Sequence, residues 1–440
     1  MIIVETAKTF FNYHGNTIFF LKKELSIINF FVPLAPIMRN LFRNIVLLLA
    51  AAVVISGCRN KQPKAQAVAG VTAADSLVVV SVKYATGFTV KDSAGMRLVS
   101  IERQDMGTHR KGGMHRTHNS HSKHGKHAES MGSYHFALVS SDDVQVPEGY
   151  TKVRVPIERT LCMTALQLSN FTVLDALDVV RGITGTKNMF NKDVLQRVED
   201  GRMVKIGMEG EFDTELVLAA HPDVIFISPF KRGGYDAIKE TGITLIPHLG
   251  YKELHPLGQA EWIKLVGMFI GKEQLANEVF SGIEKRYNEL KEKAANVKYR
   301  PTVTSGEMHY GTWRAVGGKN YLAQIFHDAG ADYVVKDEET AGENLEFEKM
   351  YALSANADFW RILNSYPGTF GYDELKAAEP RNALFKAFRE RKVIYCNMRK
   401  TPYYEISPVE PDVLLKDFVA IFHPELVEEG YTPKYYKLLK

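Results

Sequence analysis

Two groups of residues in this chain have types and spacing that could do chemistry. The first is the segment THRKGGMHRTHNSHSKHGKH, which carries His109, His115, His118, His121, His124 and His127. Neutral imidazoles at this density bind Zn²⁺, Ni²⁺ or Cu²⁺, so His115, His118, His121, His124 and His127 are the metal candidates. No cysteine or carboxylate framework surrounds them, so binding there should be loose rather than a defined structural site. The competing reading is a polar insertion with no ligand. The second group is five short segments rich in aromatic, Met, Arg and Lys residues. These are Met163-Thr164, Phe230–Tyr235, His248–Tyr251, His309–Arg314 and Asn397–Tyr404. Flat aromatic faces stack on a macrocycle, and Arg or Lys neutralises carboxylates. Met163, Tyr235, Tyr251, Tyr310, Trp313, Arg314, Met398, Arg399 and Tyr403 are therefore the candidate ligand-binding residues, with Trp313 and Tyr310 foremost. Aromatics that merely cover strand ends are the plainer alternative. No G-x-S-x-G elbow, HExxH or P-loop occurs, so nothing points to an enzyme.

These segments need elements to position them. From residue 158 onward, short apolar runs alternate with helical stretches. Asp223–Ser228 (DVIFIS) is a continuous apolar run, expected of a strand buried on both faces. Glu273–Val297 is long, charged and amphipathic, with Leu275, Val279, Ile283, Tyr287 and Leu290 along one face. After it the alternation restarts. This pattern predicts an α/β protein with two parallel-sheet lobes joined by one long helix. Each candidate segment then follows a strand, where open α/β sheets bind ligands. Residues 75–157 read instead as a β-rich extension interrupted by the His-rich loop 108–128. It could be a separate module or a sheet packed on the first lobe. The expected boundaries are a 158–272 lobe, a 273–298 connecting helix and a 299–440 lobe.

Composition sets the class. The 440 residues are 45% hydrophobic and 24% charged, as in ordinary globular protein. The net charge is +4, part of it in the His-rich stretch, which makes no case for nucleic acid. Cys162 and Cys396 lie in apolar runs and read as small buried hydrophobes, with a disulfide between them left open.

The N-terminus reads as an address. Arg39 and Arg43 precede the apolar run Ile45–Ile55, and small residues follow it. That order is a secretory signal, and the run is shorter than the ~20 residues a spanning helix needs. Ile55-Ser56-Gly57-Cys58 resembles the bacterial lipobox, which implies lipidation at Cys58. Residues 1–57 are then leader and signal peptide, with Met38 a fitting start, and 58–74 a flexible tether. The expected location is the cell envelope, lipid-anchored and facing the periplasm.

Four segments in order resemble one family. They are DTELVLAAHPDVIF (213–226), PLGQAEWIKLVGMFIGKE (256–273), YGTWRAVGGKNYLAQIFHDAGADYV (310–334) and PDVLLKDFVAIFHPEL (411–426). They are similar to the iron-complex, haem and cobalamin substrate-binding proteins of ABC importers, over roughly residues 150–430. The resemblance implies a class III periplasmic binding protein fold, no catalysis and no intrinsic cofactor. It implies capture of an iron complex, a ferric siderophore or haem, between the lobes and delivery to a permease. It also implies that one acidic residue on each lobe, here Glu215 and Glu348, docks into basic permease pockets. The spacing leaves Glu346 as a competitor for the second position. Alternatives within the same fold are a cobalamin carrier, or a zinc or manganese carrier using residues such as His248, His309 and Glu307. An iron ligand could be His248, His309, Tyr310 or Met398, and nothing in the sequence selects among them. Metal or haem scavenging is one reading of the His-rich loop.

Overall fold

The structure, a computed structural model, describes residues 78–102, 133–208, 211–228 and 235–440. Cys58 and the histidines from His109 to His127 lie outside the described residues, as does most of the Phe230–Tyr235 segment.

The chain first builds a four-stranded sheet from β1 (Phe88–Ser93), β2 (Met96–Ile101), β3 (Tyr134–Val139) and β4 (Thr151–Arg154), paired in that order. The first lobe follows. It contains β5 (Thr160–Cys162), α1 (Ala165–Val173), β6 (Val180–Ile183), α2 (Lys192–Glu199) and β7 (Val204–Lys205). A small hairpin, β8 (Gly207–Met208) and β9 (Glu211–Phe212), leads into α3 (Thr214–Ala219), β10 (Val224–Ile227), α4 (Asp236–Lys239) and β11 (Thr244–Pro247). Its sheet runs β11-β10-β5-β6-β7, with every pairing parallel. All residues of β5 and β10 are buried, which is why their sequence is continuously apolar.

Two consecutive helices carry the chain across. α5 (Pro256–Ile270) is buried on nearly every side. It starts with His255 as cap and Pro256 in the first turn, and stops at Gly271, whose φ of 68° suits a glycine. α6 (Glu273–Ala295) is the connecting helix. Its buried face is Ala276, Phe280, Ile283, Tyr287 and Ala294, whereas Leu275 is exposed. The stripe is rotated from the expected one because small Ala276 and Ala294 allow close approach where Leu275 would not.

The second lobe contains β12 (Thr302–Ser305), β13 (Glu307–His309), β14 (Thr312–Val316), α7 (Tyr321–Asp328) and β15 (Asp332–Tyr333). Next come β16 (Gly342–Leu345), α8 (Phe347–Ser354), β17 (Phe359–Asn364), α9 (Tyr372–Ala378) and α10 (Lys386–Arg389). The chain ends with β18 (Val393–Asn397), α11 (Tyr403–Ile406), α12 (Pro411–Phe422) and β19 (Lys437–Leu438). The main sheet runs β15-β12-β17-β18-β19, parallel except for β19, and β13-β14-β16 form an antiparallel side sheet.

The N-terminal sheet packs on the first lobe rather than standing apart. Phe88 meets Trp262 edge-on at 4.9 Å, and Phe136 meets Phe269 at 6.4 Å, both partners on α5. Two glutamates secure the irregular segment leading into β1. Glu261 accepts from the backbone N–H of Lys83 (2.9 Å), Tyr84 (2.7 Å) and Ala85 (2.9 Å), and pairs with Lys264. Glu253 accepts from Thr86 and Gly87 and from the Trp262 indole. Both carboxylates are buried, so these bonds meet an acceptor demand that water would otherwise fill.

Candidate functional site

In each lobe the carboxyl ends of the parallel strands are tied together by polar side chains. In the first lobe, Thr164 caps α1 and Gln167 completes a capping box. The Gln167 oxygen accepts from Met163 N–H (2.6 Å), and its amide donates to Ser228 Oγ (3.0 Å) just beyond β10. Tyr235 donates its hydroxyl to the Ser228 carbonyl at 3.0 Å. Thr184, after β6, donates to the Met163 carbonyl. This edge is a clamped floor: Met163 and Tyr235 are both buried, and Tyr251 is half-buried beside the Lys252 ammonium. His248 is fully buried against Trp262, 4.7 Å between rings, with Asn170 Nδ2 3.4 Å from its Nε2. Burial pushes its imidazole down to about 3, so the ring is neutral.

In the second lobe, β12 runs out at Ser305 and Gly306. Gly306 has φ of 102°, and a Cβ there would meet the Arg314 carbonyl oxygen at 1.9 Å, so only glycine fits. The chain then turns through the β13–β14 hairpin. Asn364, at the end of β17, donates to Glu307 (3.3 Å) and accepts from the Tyr395 hydroxyl (2.8 Å). Burial raises the Glu307 carboxyl above its ordinary range. Asn397, ending β18, donates to the Tyr366 carbonyl and accepts from Arg399 N–H. Arg399 donates to the Ser365 carbonyl, and Met398 N–H to the Asn364 carbonyl, so both candidates gather with Asn364–Tyr366.

The expected ligand set therefore divides. Tyr310 is 93% exposed at the hairpin tip, its ring 4.4 Å from that of His309, and Arg314 is exposed nearby. Arg399 is exposed and Met398 half-buried. Trp313 departs from the expectation of an open stacking face. It is fully buried, stacked 5.4 Å from Trp360 and donating its indole N–H to the Ser305 carbonyl. Tyr403 is likewise buried, among Tyr435 and Tyr436. Its neighbour Tyr404 takes the surface position: 61% of it is exposed, yet surrounding protein raises its phenol above the usual range. Sequence pattern did not separate the two tyrosines, because the four-residue α11 is too short for a periodic signal.

Where α11 of the second lobe packs against α1 of the first, a carboxylate also bonds across. Glu405, beside Tyr404, accepts from the backbone N–H of Phe190 (2.6 Å) and Asn191 (2.7 Å), at the start of α2. It therefore supplies charge-assisted bonds at a helix N-terminus. Glu215 and Glu348 are exposed near the starts of α3 and α8, and Glu348 pairs with Arg381 at 3.0 Å.

Cys162 and Cys396 are buried free thiols, and burial pushes Cys396 up to about 12, so neither serves as a nucleophile. Among the described residues, no three His, Cys, Asp or Glu side chains gather as a metal site, so His248, His309 and Glu307 do not form one. No helix among the described residues is long and apolar enough to cross a membrane.

Comparison with known proteins agrees with this architecture. An uncharacterized lipoprotein of Methanocaldococcus jannaschii is 25% identical over 294 residues, covering 63% of this chain and 68% of its own. A second lipoprotein of that organism is 25% identical over 249 residues, with 55% of this chain and 63% of its own covered. The chain thus spans about two thirds of the length of these relatives. Among solved structures, a periplasmic haem-binding protein from Pseudomonas aeruginosa superposes with a TM-score of 0.50 at 16% identity, covering 64% of this chain and 98% of that one. A periplasmic binding protein from Veillonella parvula gives a TM-score of 0.50 at 17% identity, covering 66% and 95%. These two share the fold. The family profile described as periplasmic binding protein matches residues 164–399, more than half of the chain. The match takes in most strands of both sheets and the helices between them, and the chain belongs to the periplasmic binding protein family, whose members bind solutes for transport rather than catalyse reactions.

Proposed function

We propose that this protein captures an iron complex, a ferric siderophore or haem, between its lobes and hands it to the permease of an ABC importer. The observation that carries the reading is Tyr404, 61% exposed just beyond the carboxyl end of β18 in the second sheet. Exposed Arg399 on the preceding turn, and Tyr310 with His309 on the β13–β14 tip, add cationic and aromatic surface. Such surface suits a flat or aromatic chelate with anionic groups. Glu215 and Glu348 serve as the permease contacts, where separated carboxylates set orientation through charge-assisted pairs. Lipidation at Cys58 holds the protein at the envelope, and residues 58–74 give it reach.

The test is titration of the full chain, in detergent, with haemin, ferric siderophores, cobalamin and Zn²⁺. One-to-one binding of an iron complex is expected. Binding of cobalamin or Zn²⁺ alone would contradict the assignment.

A further inference from the structure

The two lobes repeat one plan, so the two seams between them can be compared residue by residue. The first sheet runs β11-β10-β5-β6 and the second β18-β17-β12-β15, with each of these pairings parallel. β11 therefore corresponds to β18, and α1, the first helix after β5, to α7, the first after β12. Beyond β18 the chain crosses to the first lobe, where α11 packs on α1. Beyond β11 it crosses to the second, where α5 meets α7. Glu405 stands eight residues past the end of β18, and His255 eight past the end of β11.

The seams differ in charge. In the first, the Glu405 carboxylate bonds the amides of Phe190 and Asn191. In the second, the corresponding residue is an imidazole, and a cavity of about 480 Å³ lies between the walls. Leu254 and His255 line it from the first lobe, and Lys319, His327 and Lys336 from the second. His255 Nδ1 accepts from the Leu257 N–H at 3.1 Å, so its Nε2 carries the proton and donates. Burial lowers the pKa of this ring, and Tyr84 stacks on it at 4.9 Å, which makes it a neutral, oriented donor. The acids nearby are already paired: Asp332 with Arg300 at 3.2 Å, Asp328 with Lys291 at 3.2 Å, and Glu338 with Lys319. Lys336 is exposed and has no ion-pair partner among the described residues. Leu254 adds exposed apolar surface to the same wall as His255. None of the strand-end residues considered for cargo lines this cavity.

We propose that this second seam binds a small organic carboxylate with an apolar body, separately from the cargo. The carboxylate accepts from His255 Nε2 of one lobe and from Lys336 of the other, and the body rests on Leu254. It supplies at this seam the charge that Glu405 supplies at the first, and because its donors belong to different lobes it ties them together.

The experiment titrates the full chain in detergent with phenylacetate against phenylacetamide, a pair of like shape that differs in charge, by calorimetry and by hydrogen exchange. Phenylacetate should bind tenfold or more tightly, and should slow exchange on both walls, within residues 249–258 and 318–336. Lys336→Gln, at an exposed position, should close the gap. Tyr404→Phe, at the candidate cargo surface, should leave both affinities unchanged. Equal affinities, no binding of phenylacetate at millimolar concentration, or protection confined to one wall overturns the proposal. A gap that survives Lys336→Gln places the carboxylate elsewhere and overturns it as well. A gap that closes in Tyr404→Phe assigns it to the cargo surface, with the same consequence. Capture of an iron complex is tested by its own ligands and stands or falls apart from these results.

Discussion

Glu215 and Glu348 occupy the same position in the two lobes: each is the second residue of a helix whose capping residue is acidic, Asp213 or Glu346. Their distances to the aspartate before the next strand differ, eight residues to Asp223 and ten to Asp358, because α3 has six residues and α8 has eight. The aspartates are equivalent as well. Asp223 accepts from the N–H groups of Glu158 and Arg159 ahead of β5, and Asp358 from Thr302 N–H at the start of β12. By helix position the counterpart of Glu215 is Glu348, and Glu346 is the cap.

Charge reversal at both sites, Glu215→Lys with Glu348→Lys, should abolish uptake of cargo by cells while leaving its affinity within about twofold. The side chains are exposed, so each change should move stability by only about 0.5 kcal/mol. Loss of the surface pair with Arg381 adds at most about 1 kcal/mol. Uptake assays and thermal melts separate the outcomes, and lost cargo affinity would argue against a docking role.

Glu261 anchors the N-terminal sheet. Glu261→Ala removes the acceptor of three backbone N–H groups and leaves Lys264 unpaired, which should cost about 3–5 kcal/mol. Limited proteolysis should then cut within residues 78–101 before any cut in the second lobe. This attachment was not legible in the sequence, because its partners are separated by more than 170 residues.

His248 makes stability depend on pH. Its imidazole is held at about 3 in the fold, against an ordinary value near 6.5. The unfolded chain therefore binds more protons below that value, and stability falls as pH falls. Its contribution is complete above about pH 6.5 and declines by up to about 1.4 kcal/mol per pH unit down to about pH 3. Denaturant melts between pH 7 and 5 should show this slope, and His248→Phe should flatten it.

Glu405 ties the second lobe to the first. Glu405→Ala strands the amides of Phe190 and Asn191, and should cost about 1–3 kcal/mol. Faster hydrogen exchange at these two amides checks it, with faster cargo release as the functional consequence.

The parallel strands were legible because burial on both faces forces runs such as Val224–Ile227, and the connecting helix because charged and apolar residues alternate at helical spacing. The hairpin was not. Its two-residue turn at Tyr310-Gly311, with φ of 49° and 81°, was the available signal. Two-residue alternation from that turn sends Trp313 and Ala315 inward and Arg314 outward. Read as a loop, the segment makes Trp313 look like a surface ring; read as a strand, it places it in the core.

The central claim is that the protein binds an iron complex between its lobes. Titration of the purified full chain with haemin and ferric siderophores, followed by absorbance and tryptophan quenching, tests it most directly. The account predicts saturable one-to-one binding of at least one of them, weakened in Tyr404→Ala and unaffected by Glu215→Lys. Absence of saturable binding by every iron complex, in protein that melts cooperatively, would contradict it.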